Sequence, residues 1–146
     1  MEAISVRLDI GHASIKCMET ELHPGQQSIR DVLWGELSVD RNSFISVECF
    51  FDLSELIVIG ENVSIAMRSV FITSTHEIGS LEKRAGNALA EPITIGDGCW
   101  IGANVTVLPN VRIGAGTIIA AGSVVTRDCD PNSVYAGVPA QKIKTL

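Results

Sequence analysis

His76 is the side chain of this 146-residue sequence with the clearest chemical prospects. It sits in Ser74-Thr75-His76-Glu77, where an apolar stretch gives way to the run TSTHEIGSLEKRAGNALAEP, which carries Glu82, Lys83 and Arg84. An imidazole at a strand-to-loop edge can take a proton from a hydroxyl and act as a general base. The plainer role is a solvated or structurally bonded histidine. Trp100, directly before Ile101, is expected to point outward. A large exposed aromatic either packs on a neighbouring subunit or walls a ligand groove. Arg127, Lys142 and Lys144 form a basic cluster near the end of the chain and suit the phosphates of a nucleotide as point charges. The alternative for these three is a solvated surface tail.

The elements that position these residues follow from a period of six. From Ile95 every sixth residue is aliphatic: Ile95, Ile101, Val107, Ile113, Ile119 and Val125. Three places after each of the first five comes Gly98, Asn104, Asn110, Gly116 or Gly122. Four places after comes Cys99, Val105, Val111, Thr117 or Ser123. Six fits neither a helix nor a simple amphipathic strand. It is the period of a β-helix in which each hexad makes one short strand and one turn. Gly and Asn take positive φ most readily, so each turn is predicted to hold a left-handed residue. The aliphatics share one interior, and only stacking of coils can bury it.

Composition agrees with such an interior. Hydrophobic residues make up 46% and aromatics only 5%, which suits a narrow core of Ile and Val. The formal net charge of −6 argues against a general nucleic-acid or anionic-membrane surface, so an anionic ligand must meet a local basic cluster. No apolar run approaches the roughly 18 residues of a membrane span. Cys17, Cys49, Cys99 and Cys129 form no CxxC pair and follow no leader, and they read as reduced thiols of a cytoplasmic protein.

Taken in order, residues 1–28 carry no repeat and are expected to form an irregular cap on the first coil or a lead-in strand, since Ile4, Val6, Leu8 and Ile10 alternate as in a strand. His23-Pro24-Gly25 is a turn signal. A β-helix is expected over 29–134, with Val47, Leu53, Ile59, Ile65 and Phe71 in the inward phase. Arg68 holds a Gly/Asn place, so its turn is expected to be different or strained. The register breaks between Phe71 and Ile95, predicting an extruded loop at about 77–91. It ends at Val125, and 135–146 is expected to fold back as a tail.

At this point IGDGCWIGANVTVLPNVRIGAGTIIAAGSVVTRDCDPNSVYAGVPAQKIK, with the upstream IGENVSIAMRSVFITSTHEIG, resembles the hexapeptide-repeat acyltransferases. Among these it looks like the maltose/galactoside O-acetyltransferase branch and relatives that modify glycans. TxTH before a loop, WIG, AAGSVVT and the AGVPAxxIK tail occur in order, over about residues 40–146. The resemblance implies an all-β, left-handed parallel β-helix, a homotrimer with active sites at subunit interfaces, and acetyl-CoA as co-substrate. It implies His76 as general base in direct transfer to a hydroxyl of a small-molecule or glycan acceptor. Trp100 matches a groove residue near acceptor and pantetheine. Ala103 and Ala121 match backbone contacts to the pantetheine arm. Thr126 and Arg127 match contacts further along the cofactor, and Gln141 and Lys144 match its adenine and phosphate end. Ser46, in Ile45-Ser46-Val47-Glu48, stands where the branch places an acceptor-binding Asn, and Gln141 where an Arg is common. Ser46, Glu48, Trp100 and Arg84 are therefore the candidate acceptor contacts, and no metal site is expected. Other readings are an antibiotic acetyltransferase on the same fold, a zinc enzyme, which would need more histidines within the repeats, and a non-catalytic binding β-helix.

Overall fold

The structure, a computed structural model, describes residues 13–16 and 36–146. The alternation at 4–10, the His23-Pro24-Gly25 turn, His12, Cys17 and most of the expected N-terminal cap lie outside the described residues. Among the described residues every regular element is a strand, and no helix is long and apolar enough to cross a membrane.

Short strands stack into three parallel faces. The first face is built from Glu36–Val39, Ile57–Ile59, Ile93–Ile95 and Arg112–Ile113. The second holds Phe44–Ile45, Ser64–Ile65, Trp100–Ile101, Ile118–Ile119 and Ser133–Gly137. The third holds Phe50–Phe51, Val70–Phe71, Thr106–Val107 and Val124–Val125. Each chain passage visits the faces in turn, which is a parallel β-helix. Two antiparallel strands edge it: Ala13–Lys16 beside Glu36–Val39, and Ala140–Thr145 beside Ser133–Gly137.

Like sits on like because consecutive coils are one strand spacing, roughly 4.8 Å, apart. Val39, Ile59, Ile95 and Ile113 form one inward column, and Ile45, Ile65, Ile101, Ile119 and Tyr135 a second. The third column is Phe51, Phe71, Val107 and Val125, its two rings stacked with centroids 4.9 Å apart. All are buried except Phe51, which is partly so.

The predicted left-handed turns are present. The corner between first and second faces has positive φ at Asn42, Asn62, Gly98, Gly116 and Asn132. The next corner has it at Glu48, Arg68, Asn104 and Gly122. Arg68 thus makes the same turn as its Gly and Asn counterparts, at φ 60°, with a side chain ill suited to it. Its guanidinium meets Glu48, itself at φ 59°, 2.8 Å away.

Two register expectations need correcting. Val47 is not an inward residue of the N-terminal coil, and Leu53, though partly buried against the core, lies outside the three inward columns. Val39, Ile45 and Phe51 fill those columns there, and Val47 is an exposed corner residue. The corner between Phe51 and Ile59 holds two extra residues, which shifts the phase there. Nor does the apolar register end at Val125. A corner two residues shorter brings Cys129 beside Ile113 and Tyr135 beside Ile119, adding most of a further coil.

The extruded segment is an antiparallel hairpin of Ser74–Ile78 and Ala85–Ala90. It begins before residue 77, so His76 lies within its first strand, opposite Ala88. It leaves at the corner between third and first faces. Beneath it the coil closes through a 2.8 Å bond from the Glu91 amide to the Thr73 carbonyl.

Candidate functional site

His76 owes its place to the break in the hexad pattern. Among the described residues its strand pairs only with the other arm of the hairpin, and all five of its residues are exposed. Side chains alternate along a strand, so His76 shares a side with Ser74. Glu77 accepts a 2.9 Å hydrogen bond from Asn87 across an irregular step in the pairing. At the tip Arg84 is consumed locally: its carbonyl accepts from the Gly79 amide, and its guanidinium reaches the Gly79 carbonyl at 3.4 Å.

A different part of the prism holds the residues matched to a cofactor. Trp100 projects from the second face with 57% of its surface exposed. It belongs to an outward column whose neighbours in strand order are Phe44, Ser64, Trp100, Ile118, Val134 and Lys144. Three strand steps separate Trp100 from Lys144, or about 14 Å at the ordinary spacing. Gln141, opposite Ala136, lies on the same edge strand as Lys144. Ala103 and Ala121 occupy the corner between second and third faces on successive coils, where the Gly122 amide bonds the Ala103 carbonyl at 2.8 Å. Among the described residues no acceptor meets the backbone N–H of Ala103 or Ala121. Small side chains and two free donors make this corner a place where an amide-bearing chain can lie.

Thr126 and Arg127 open a third region. With Glu91, Pro109, Asn110, Arg112 and Asp128 they line an open groove of about 540 Å³ between third and first faces. Arg112 was not singled out from the sequence; only the groove it lines together with Arg127 reveals it. The groove is of mixed charge, since Asp128 also accepts the Arg112 amide at 2.8 Å. The structure does not unite Arg127 with the two lysines. Lys142 pairs with Asp130 at 3.0 Å, and both lysines sit on the edge strand of the second face. The expected single basic cluster is therefore divided, because the chain turns a corner between its members.

Ser46 and Glu48 lie at the corner between second and third faces of the first complete coil. Glu48 is tied to Arg68, while the Ser46 amide bonds the Ile65 carbonyl at 2.9 Å. Within one chain His76 leaves from one corner, and Trp100, Ala103, Ala121 and the lysines follow another, with the third face between them.

Among the described residues the thiols, Cys49, Cys99 and Cys129, are not built for attack. Burial pushes Cys129 up to about 12, helped by Asp128, Cys99 and Asp130. Burial also raises Cys99 and Cys49 above the usual thiol range, against backbone hydrogen bonds that lower them.

Residues 92–127 match the repeat family described as bacterial transferase hexapeptide (six repeats). Over those residues the chain carries hexapeptide repeats of that family's kind. This hexapeptide-repeat chain is 34% identical over 110 residues to the galactoside O-acetyltransferase of Escherichia coli K12, covering 75% of the chain and 54% of the relative. A hexapeptide-repeat acetyltransferase of Vibrio cholerae, solved with acetyl coenzyme A, superposes with a TM-score of 0.66 at 34% identity. That match covers 71% of this chain and 57% of the Vibrio chain. A maltose O-acetyltransferase of Clostridium difficile 630 gives a TM-score of 0.61 at 34% identity, covering 72% and 59%. The prism has the left-handed β-helix architecture of these neighbours. The hexapeptide-repeat chain spans about half the length of the curated relatives it matches.

Proposed function

We propose that this protein is an acetyltransferase that moves an acetyl group from acetyl-CoA to a hydroxyl of a sugar or glycan, working as a homotrimer with its sites between protomers. The observation that carries this reading is the division of the site. One corner presents an exposed imidazole on a projecting hairpin. Another presents an aromatic, two free backbone donors and a lysine spread over about 14 Å. Neither half is a bisubstrate site alone. Two copies set face to corner would close one, as a cyclic trimer does. The names of the galactoside and maltose relatives support a sugar acceptor, and the Vibrio structure supports the donor.

In this reading Trp100, Ala103 and Ala121 hold the pantetheine arm. Gln141 and Lys144 meet the cofactor's far end, and Thr126 and Arg127, which lie around the corner from that lysine, meet the cofactor from a neighbouring protomer. Neutral His76 takes the acceptor's hydroxyl proton as the oxygen attacks the thioester carbonyl. The tetrahedral intermediate expels the coenzyme A thiolate, which takes the proton back from the imidazolium. Proton transfer of this kind contributes roughly 10²–10⁴-fold. Holding both substrates together, with a backbone donor at the developing oxyanion, contributes the remainder. Ser46 and Glu48 contact the acceptor, and the serine in place of an asparagine alters which sugar fits.

The test is His76→Ala, assayed by release of free coenzyme A thiol with a panel of sugars. Loss of turnover by at least two orders of magnitude is expected, with trimer mass and coenzyme A affinity unchanged. Undiminished turnover would refute the role given to His76.

A further inference from the structure

Among the described residues the hairpin that carries His76 pairs with no strand of the prism. It forms a two-stranded sheet of its own, and such a ribbon is marginally stable at best in water. Its direction must be set at its root.

The root is gripped by one carboxylate. Asp52 belongs to the coil below, immediately after Phe51 on the third face. Its Oδ2 accepts from both the backbone N–H of Ser74, at 2.8 Å, and the Ser74 hydroxyl. Its Oδ1 accepts from the backbone N–H of Ser54, at 3.1 Å, and the Ser54 hydroxyl, at 2.7 Å. The neighbouring threonine closes the same joint. The buried Thr73 hydroxyl donates to the Asp52 carbonyl at 2.6 Å and accepts from the Glu55 amide at 3.1 Å. Half-burial pushes the Asp52 carboxyl up, yet the bonds from Ser74 and Ser54 outweigh it and hold it below the usual carboxylate range. The acceptor is thus charged at neutral pH, and charge-assisted bonds are the stronger and shorter kind.

We propose that Asp52 is a positioning residue for His76: it locks the hairpin's exit from the prism and so fixes where the imidazole stands. The link is short. Ser74 takes both bonds to Oδ2 and lies two residues before His76 on the same side of one strand. Releasing Ser74 frees the strand to swing about Thr73. A displacement of 1 Å at a reacting group can cost on the order of 10²-fold in rate. This inference rests on the general-base reading of His76 only where rate is concerned; the ordering of the hairpin does not depend on it.

Three variants of the full-length chain test it: Asp52→Asn, Ser74→Ala and Ser74→Thr. Asparagine keeps an oxygen for Ser54 but offers no acceptor to the Ser74 amide. Turnover and KM for acetyl-CoA come from thiol release. Amide hydrogen exchange, read by mass spectrometry, compares residues 74–90 with 93–125. Asp52→Asn is expected to lower kcat on the order of 10²-fold at unchanged KM, and to speed exchange in the hairpin alone. Ser74→Ala should lose less, and Ser74→Thr, which keeps the hydroxyl, should behave as the parent. A fall in melting temperature with kcat and hairpin exchange untouched would overturn the proposal and leave Asp52 a stitch between coils. If the parent chain transfers acetyl to no sugar while Asp52→Asn still loosens the hairpin, the clamp stands and the transferase reading falls.

Discussion

Gly102 tests whether close stacking at the second corner is what both the fold and the proposed pantetheine contact depend on. A Cβ built at Gly102 would lie 2.5 Å from the Ala121 nitrogen, and 2.9 Å from both the Ala121 Cα and the Ile119 oxygen. All three are backbone atoms of the next coil, so no side chain can swing aside. Ordinary contact begins at 3.4 Å, so Gly102→Ala must part the coils by about 0.9 Å, the difference from 2.5 Å. Two bonds cross that gap, from Gly102 N–H to the Ile119 carbonyl and from Gly122 N–H to the Ala103 carbonyl, each 2.8 Å. Overpacking costs about 1–3 kcal/mol, and each weakened bond up to about 1 kcal/mol more. Urea unfolding should therefore show a loss of about 1–5 kcal/mol. Ala103 and Ala121 flank the strained point, so coenzyme A affinity, read by isothermal titration, should fall as well. Gly98→Ala is the control. Its φ is +68° with open space around the new methyl, so only left-handed strain of about 1 kcal/mol applies, with affinity unchanged. Equal losses in the two variants, or a loss below about 0.5 kcal/mol in Gly102→Ala, would refute the stacking argument.

Arg68→Asn should stabilise the chain by about 0.5–1 kcal/mol in the same unfolding experiment. Relief of the left-handed conformation, about 1–2 kcal/mol, exceeds the worth of an exposed ion pair with Glu48; a net loss would show that the pair dominates. Among Cys49, Cys99 and Cys129, iodoacetamide at pH 8 should modify half-exposed Cys49 slowly and the two buried thiols only after denaturation. Peptide mass spectrometry reads the order, and early labelling of Cys129 would contradict its buried setting.

The sequence revealed most where the hexads are strict. From Ile95 to Val125 one residue in six must enter a shared core, and no insertion disturbs the count, so inward column and corner residues can both be read directly. It misled wherever a corner changed length. Two added residues before Ile59 made Val47 and Leu53 look like members of an inward column, and two missing ones before Cys129 hid the coil that Tyr135 completes. Periodicity carries no information across such a step, because only pairing with the neighbouring coil restores the phase. For the candidate site, His76 and Trp100 stood out by type and setting. The Asp52 joint did not, since its partners lie 2 and 22 residues away and meet only after stacking. An Asp-x-Ser turn pattern at 52–54 was the sole local sign.

The bond between Glu91 and Thr73 has a consequence for descent as well as for shape. The two ends of the hairpin meet at neighbouring atoms, so every later coil continues as though nothing had been inserted. Enlarging such an excursion costs little, because closure entropy grows only with the logarithm of its length. A lineage can therefore trade one excursion for another at this joint, rewriting what is recognised while inheriting the rest unaltered.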